Sequence, residues 1–213
     1  MAVYVLKDVR YKDILYVEDL KIEEGKISSI TGESGSGKTT LLRLLNKLIS
    51  CDSGEITFRG EPLSKLDAVK LRRSVVMLPQ TTPIFPGTVE DNLQIGLRFA
   101  EKEPAAKERL KEVLELAHLS KALDDEADRL SGGEKQRLGL ARVFLLEPEV
   151  YLLDEPSSAL DEETARLIME GMVQHVKAQQ KTLVMVTHAR ELARLYSDCQ
   201  ICLSKGRIVS VEG

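Results

Sequence analysis

A short strand-like run, "KISSIT" at residues 26–31, passes without a break into "GESGSGKTT" at residues 32–40, and "LLRLLNKLI" follows as a helix. Few arrangements leave a chain so little freedom. The glycines let successive backbone N–H groups turn inward around an anion without a Cβ clash. The helix start adds positive potential at the same point. Gly32, Gly37, Lys38 and Thr39 stand at the G-x-x-x-x-G-K-[ST] spacing of a phosphate-binding loop. On this reading Gly32, Ser34, Gly35, Ser36, Gly37, Lys38, Thr39 and Thr40 surround the phosphates of a nucleotide. Lys38 reaches the β- and γ-phosphates, and the Thr39 hydroxyl ligates Mg²⁺. A Gly/Ser-rich turn that preceded a lysine by accident would need neither the strand before it nor the apolar helix after it.

The rest of the chain alternates short β-rich runs with longer helical ones. That predicts an α/β fold around a mostly parallel sheet covered on both faces. "AVYVLKDVRY" (residues 2–11), "GEITFRG" (54–60) and "SVVMLP" (74–79) read as strands, the first within an N-terminal antiparallel β-region. In the helix after the loop, Leu41, Leu44, Leu45 and Leu48 share one face. From about residue 82 the character changes. Pro83, Pro86 and Gly87 break the chain, and the charged helical segments "VEDNLQIGLRFA" and "AAKERLKEVLELAHL" follow. Residues 82–134 are therefore expected to form a helical subdomain inserted into an α/β core of residues 1–81 and 135–213, all within one domain. "DDEADR" (124–129) is expected to be a solvated connector. The core resumes with the helix "EKQRLGLARVFLL", the strand "EVYLLDEP", the helix "EETARLIMEGMVQHV" and the strand "TLVMVTH", and closes with "QICLSKGRIVSV" as a hairpin. Cys199 and Cys202 form a C-x-x-C inside that last strand-like run. Three apart on a strand, their side chains point to opposite faces, which predicts a buried structural pair and not a metal or redox site.

A nucleotide-hydrolysing loop of this kind needs a carboxylate at the end of a neighbouring strand to hold Mg²⁺. Asp154, ending the apolar run "VYLL", has that position. Glu155 follows directly and is suited to polarising a water for in-line attack on the γ-phosphate. Two acids ending a strand are commonly a solvated strand end, but the apolar run and the upstream loop favour the chemical reading.

"LSGGE" at residues 130–134 satisfies a capping box, with Ser131 capping a helix and Glu134 reaching back. A capping box does not need two glycines. Gly132 and Gly133 bare the backbone beside a serine hydroxyl and make a second anion site. One chain would not easily fold this second loop over a nucleotide held by the first. Ser131 is expected to serve a nucleotide held by another copy.

With these motifs in this order, the chain resembles the ATP-binding-cassette (ABC) ATPase family, the nucleotide-binding subunits of ABC transporters, over essentially all its 213 residues. "GESGSGKT" resembles the Walker A loop, "VYLLDE" the Walker B strand with Glu155 as catalytic glutamate, and "LSGGE" the family signature. Gln80 in "MLPQTTP" resembles the Q-loop glutamine, which implies contact with Mg²⁺ and the attacking water and coupling to a membrane partner. "SALD", ending in Asp161, is similar to the D-loop at the dimer interface. His188 in "VMVTHA" is similar to the switch histidine that contacts the γ-phosphate, whereas His118 and His175 sit in charged helices and read as surface or packing residues. The N-terminal layout makes Tyr11 the aromatic that stacks on adenine, with Tyr16 the alternative. The resemblance implies a head-to-tail homodimer holding two ATP molecules, each between one copy's loop and the other's signature. A separate transmembrane subunit would be driven by its opening and closing.

"QTTPIFPGTVEDNL" (80–93) is similar to a segment of exporter-type cassettes, and to short stand-alone cassettes with which metal export has been associated. Ile84, Phe85 and Val89 are expected either to line a pocket for a coupling helix of the membrane subunit or to pack the helical subdomain. "DDEADR" departs from the stretch that precedes the signature in fused exporters, so a fused-exporter type is not inferred.

Composition narrows the alternatives. Acidic and basic residues are mixed, with a net charge of −4 and no basic tail, which argues against nucleic acid as the main partner. "MAVYVLKDVRYKD" turns charged too soon for a signal peptide, and no apolar run approaches the roughly 20 residues of a membrane span. With three cysteines in all, the expectation is a cytoplasmic protein, peripheral at the membrane. The ending soon after "GRIVSVEG" predicts no appended regulatory domain. A non-transport cassette of DNA repair or translation is the alternative. It would be expected to carry coiled-coil insertions, zinc modules or paired cassettes. A metabolic kinase would lack "LSGGE", and a GTPase would show N-K-x-D where Asn46-Lys47-Leu48-Ile49 lacks the aspartate.

Overall fold

The computed structural model describes residues 1–188 and 190–213. Their chain order is β1 (Ala2–Tyr11), β2 (Leu15–Glu23), β3 (Ile27–Gly32), α1 (Lys38–Leu45), β4 (Ser53–Phe58), β5 (Glu61–Pro62), α2 (Ala68–Ser74), β6 (Val75–Leu78), α3 (Val89–Phe99), α4 (Lys107–Leu116), α5 (Gly132–Leu146), β7 (Val150–Asp154), α6 (Glu162–Ala178), β8 (Thr182–Val186), α7 (Arg190–Tyr196), β9 (Cys199–Ser204) and β10 (Arg207–Glu212).

All ten strands form one sheet in the order β5-β4-β1-β2-β10-β9-β3-β8-β7-β6. Strands β9, β3, β8, β7 and β6 pair in parallel. Pairs β1–β2, β1–β4, β4–β5 and β9–β10 are antiparallel. The expected parallel core and antiparallel N-terminal region are both present.

The apolar runs sort themselves by the two-residue period of a strand. Tyr151 and Leu153 of β7, with Leu183 and Met185 of β8, enter the core shared with α3, α4, α5 and α6. Val150, Leu152, Val184 and Val186 enter the core on the other face, with α1 and the antiparallel wing. Burial on both faces is why these strands read as unbroken apolar runs. Helix α5 is continuous from Gly132 to Leu146 and packs against α3, α4 and β6. Arg142 of α5 is buried enough to draw its guanidinium down to about 10. It donates to the Asn92 carbonyl at 2.7 Å and the Pro83 carbonyl at 3.1 Å, so it ties α5 to α3 and to the loop after β6.

Several expectations are corrected. Helix α1 ends at Leu45, with Asn46 as C-cap and Lys47 in the left-handed region at φ 51°. Leu41, Leu44 and Leu45 are buried, but Leu48 lies beyond the helix and is 52% exposed. "DDEADR" is not merely a solvated connector. Ala127 is fully buried and its N–H donates to the Gly87 carbonyl at 3.0 Å, while the Asp125 carbonyl accepts from Val89 N–H at 2.9 Å. The acids face outward and the small alanine lets the backbone dock at the start of α3. Val89 is fully buried in the core beneath α3, which agrees with the second of its two expected roles, packing of the helical segments. His175 is a packing residue of α6, edge-on to Phe144 at 5.3 Å. His118 follows α4 in a left-handed conformation at φ 49°, outside the helix. Helices α2 and α7 were not foreseen. Each is seven residues long, too short for an apolar period. Only the N-cap of α2 was legible in principle: Asp67 accepts from Val69 and Lys70 N–H at 2.9 and 2.8 Å.

Candidate active site

The parallel strands β3, β8, β7 and β6 end along one edge of the sheet, and most of the sequence-selected residues follow those ends. Ligands in open α/β sheets bind beyond the carboxyl ends of the strands.

After β3 the chain turns at Gly32, whose φ is 148°, and a Cβ there would come within 2.1 Å of the Leu203 carbonyl oxygen. Any larger residue would push the loop off the sheet. Gly37 caps α1, and Lys38 begins it. Lys38 Nζ donates to the Gly32 and Glu33 carbonyls at 2.9 and 2.8 Å. Burial lowers its pKa, opposed by the nearby carboxylates of Glu155 and Asp154. Ser36 is buried beneath the loop, and its carbonyl accepts from Gly206 N–H at 3.2 Å. Ser34 and Gly35 lie at the exposed crest, while Thr40 continues the first turn of α1.

At the end of β7, Asp154 is buried, and Thr39 Oγ1 donates to its Oδ1 at 3.1 Å. Desolvation raises the Asp154 pKa, a rise only partly relieved by the Thr39 hydrogen bond. Glu155 then turns sharply out of the strand. One carboxylate oxygen accepts from Gln80 Nε2 at 2.9 Å, and the other lies 2.7 Å from His188 Nε2. Glu155 is 15% exposed and His188 49%, so the pair opens to solvent from the histidine side. Gln80 follows β6 and His188 follows β8, the strands that flank β7. The fold thus joins Lys38, Thr39, Asp154, Glu155, Gln80 and His188 into one cluster. Gln80, for which the resemblance implied contact with Mg²⁺ and the attacking water, donates here to Glu155.

Ser131, Gly132 and Gly133 belong to a separate feature, the start of α5. Ser131 Oγ accepts from Glu134 N–H at 3.3 Å, and Glu134 Oε2 accepts from Ser131 N–H at 2.8 Å. That backbone bond, with Lys121 at 3.0 Å, holds the Glu134 carboxyl near 2. The capping box is therefore real. A Cβ at Gly132 would meet open space, whereas one at Gly133 would lie 3.0 Å from the Ala159 carbonyl oxygen. Asp161 caps α6, accepting from Thr164 N–H at 2.9 Å, which lowers its pKa.

The two candidate tyrosines lie on opposite faces of the β1–β2 ribbon. Tyr11 is the cross-strand partner of Leu15, whose Cδ1 approaches within 3.1 Å of a Cβ built on Gly37. Tyr16 pairs with Arg10 and Arg207, whose guanidinium carbons lie 4.4 and 4.9 Å from its ring centroid. Tyr11 is thus on the loop's side of the ribbon. Phe85 was expected either to line a pocket for a coupling helix or to pack the helical subdomain. It lines a groove of about 360 Å³ with Met77, Pro83 and Phe99, and its ring lies edge-on to Phe99 at 5.8 Å. Ile84 packs partly buried against the core.

Sequence reasoning missed Gln136. It is 3% exposed, with both ends of its amide engaged by residues 155–159. The available signal was a polar residue on the same stripe of α5 as Gly133 and Leu140, at helical spacing i−3 and i+4.

Residues 17–158 match the family model described as ABC transporter. The chain is 38% identical over 205 residues to Protein STAR1 of Oryza sativa subsp. japonica, covering 96% of this chain and 59% of that one. It is 38% identical over 213 residues to the phosphate import ATP-binding protein PstB of Pyrobaculum aerophilum, covering 93% and 84%. Among solved structures, the post-hydrolysis dimer of the ATP-binding cassette MJ0796, bound to ADP and Pi, superposes with a TM-score of 0.87 at 30% identity, over 98% of this chain and 97% of that one. The chain spans less than two thirds of the length of some of its curated relatives.

Proposed function

Because the chain belongs to the ABC transporter family, we propose that it binds and hydrolyses ATP as the nucleotide-binding subunit of a transporter. It works as a head-to-tail pair of identical cassettes and drives a separate transmembrane subunit from the cytoplasmic face of a membrane. The observation that carries this reading is the carboxylate of Glu155, held between Gln80 and His188 beside the Thr39–Asp154 pair.

Each residue then has a task. The loop of residues 32–40 wraps the phosphates, and Lys38 supplies positive charge inside it. Glu155 accepts a proton from the attacking water, while Gln80 and His188 fix the direction of its two oxygens. Ser131 and the Gly133 N–H approach the γ-phosphate held by the second copy. Tyr11 stacks on adenine. Asp161, by capping α6, shapes the loop that faces the second copy.

Thr39 Oγ1 and Asp154 Oδ1 fit Mg²⁺. They are two hard oxygen donors within 3.1 Å of each other, and the desolvated carboxylate would gain from a cation. Among the described residues there is no cluster of three or more acidic, His or Cys ligands, as suits an ion shared with substrate phosphates. When bound, it neutralises charge on the transferring phosphate.

Residues 82–134 are taken as the helical subdomain that carries the signature to the second copy. The groove beside Phe85 and Phe99 is its docking surface for the membrane subunit. No helix among the described residues is long and apolar enough to cross a membrane.

The test is the oligomeric state of Glu155→Gln, measured by light scattering with and without Mg-ATP. Loss of the base slows turnover by roughly 10²–10⁴-fold, so ATP should hold the two copies together. A monomer under all conditions, membrane subunit included, would refute the shared-site reading.

A further inference from the structure

We propose that Gln136 is a positioning residue for Glu155. It links the start of α5, which faces the second copy's nucleotide, to the carboxylate of its own chain. This inference rests on the reading of Glu155 as the general base.

Glu155 sits in the left-handed region, with φ at 53°. A side chain with a Cβ is disfavoured there and stays only where its surroundings over-determine it. Three backbone bonds do so. Glu155 N–H donates to the Val186 carbonyl at 3.0 Å, and its own carbonyl accepts from Ser158 N–H at 3.2 Å. The third comes from outside the segment: Gln136 Nε2 donates to the same Glu155 carbonyl at 2.8 Å. The other end of that amide, Oε1, accepts from Ala159 N–H at 3.1 Å. A single buried side chain therefore clasps both ends of residues 155–159. The direction of the Glu155 carboxylate follows from the backbone angles at its own Cα. If the clasp opens, residue 155 is freer to relax towards an ordinary φ, and its oxygens leave Gln80 and His188.

The same helix carries Gly133 one turn earlier, on the same stripe. A Cβ at Gly133 would lie 3.0 Å from the Ala159 carbonyl oxygen and 3.3 Å from Leu160 Cδ2. The helix start and the Glu155 loop are thus in contact at two points. A phosphate that seats against Ser131 and Gly133 bears on a rigid helix whose next turn holds Glu155. Engagement of the second copy's nucleotide and alignment of the local base become one event.

Three variants of the full chain test this in Mg-ATP hydrolysis. Gln136→Met keeps length and apolar volume but removes both bonds. Its kcat should fall roughly 10–100-fold, the scale of a displaced catalytic group, with KM within about twofold. Gln136→Glu keeps the acceptor for Ala159 and loses the donor to Glu155 at neutral pH. Burial raises the pKa of the introduced carboxyl. Its rate relative to the parent chain should therefore climb as pH falls from about 8 to 6, because the protonated carboxyl donates again. Glu155, whose carbonyl takes the amide's donor, and Arg137, the next residue of α5, are the same in parent and variant, so the ratio isolates what the introduced carboxyl adds, its coupling to them included. A merely structural glutamine would move stability without this acid recovery. The inference is overturned if Gln136→Met keeps its kcat, or if the Gln136→Glu ratio is flat with pH. Should Gln136→Met fail to fold, the Gln136→Glu profile decides alone. Glu155→Gln separates the two ideas. If it hydrolyses normally, the reading of the base fails. If it is inactive while Gln136→Met is normal, only the clasp fails.

Discussion

His188 Nε2 lies 2.7 Å from Glu155 Oε1, on the opposite side of the carboxylate from the Gln80 amide at 2.9 Å. Both oxygens of one side chain are thus held from two different strands' ends. On the proposed reading, His188→Ala removes one support and one hydrogen-bond donor near the γ-phosphate. Its kcat should fall by roughly 10²–10³-fold with nucleotide affinity little changed. Steady-state hydrolysis paired with equilibrium ATP binding checks this, and an equal loss in both would point to a binding role instead.

Asp154→Asn is expected to stabilise the nucleotide-free chain while disabling it. Desolvation raises the Asp154 pKa, so the ionised group is unfavourable where it is buried, and an amide of the same shape keeps the Thr39 bond. Relief of such functional strain commonly yields about 0.5–2 kcal/mol. At roughly 2–4 °C per kcal/mol for a chain of this size, the melting midpoint should rise by a few degrees. The extra midpoint shift that Mg-ATP gives the parent chain should disappear. Thermal melts with and without Mg-ATP measure both effects.

Ser131→Asp separates the two uses of the signature serine. Aspartate caps a helix about as well as serine, so the bond to Glu134 N–H and the fold should survive. A carboxylate facing the second copy's γ-phosphate is repelled. Hydrolysis should drop by roughly 10²-fold or more, with single-site ATP binding intact. Parental hydrolysis in this variant would reduce Ser131 to a helix cap.

His175 makes stability depend on pH. Its Nε2 is buried without a hydrogen-bond partner among the described residues, and burial, aided by Arg109, lowers its pKa below the ordinary 6.5. The unfolded chain then binds more protons than the folded one between the lowered value and 6.5. Stability contributed by the neutral ring is present above 6.5 and is lost as pH falls through that window. His175→Phe preserves the contacts with Phe144 and Tyr151 and should flatten this slope. Urea unfolding at a series of pH values from about 7.5 to 5.5 tests it. An unchanged slope would assign the pH dependence to other groups.

Some of the site was legible because its rules are local. Residues 32–40 announce a phosphate loop through glycine conformation and the start of a helix, and the structure turns at Gly32 with φ of 148° as that motif demands. Ser131 and Glu134 satisfy each other across three residues. The errors lie where local rules gave way to packing. Leu48 continued a helical stripe on paper, but Lys47 takes a left-handed turn and donates to the Leu66 carbonyl at 2.6 Å, so the stripe stops. Val89 had two roles open to it on paper, pocket lining or packing, and only the seating of α3 on α5 buried it in the core. Ala127 was hidden among acids whose charge said nothing of the backbone beneath them.

What the sequence determined by itself was the set of chemical groups and the short frames that hold each one. A hydrogen bond between near neighbours, a glycine turn or a strand period follows from a few residues. The meeting of Gln80 with Glu155, 75 residues apart, needed the strand order β3-β8-β7-β6, which sets three separate loops side by side. Gln136 needed more still. An amide's two ends can be matched only once a helix and a loop have been packed into contact, because hydrogen bonding is directional and short-ranged while sequence distance is neither.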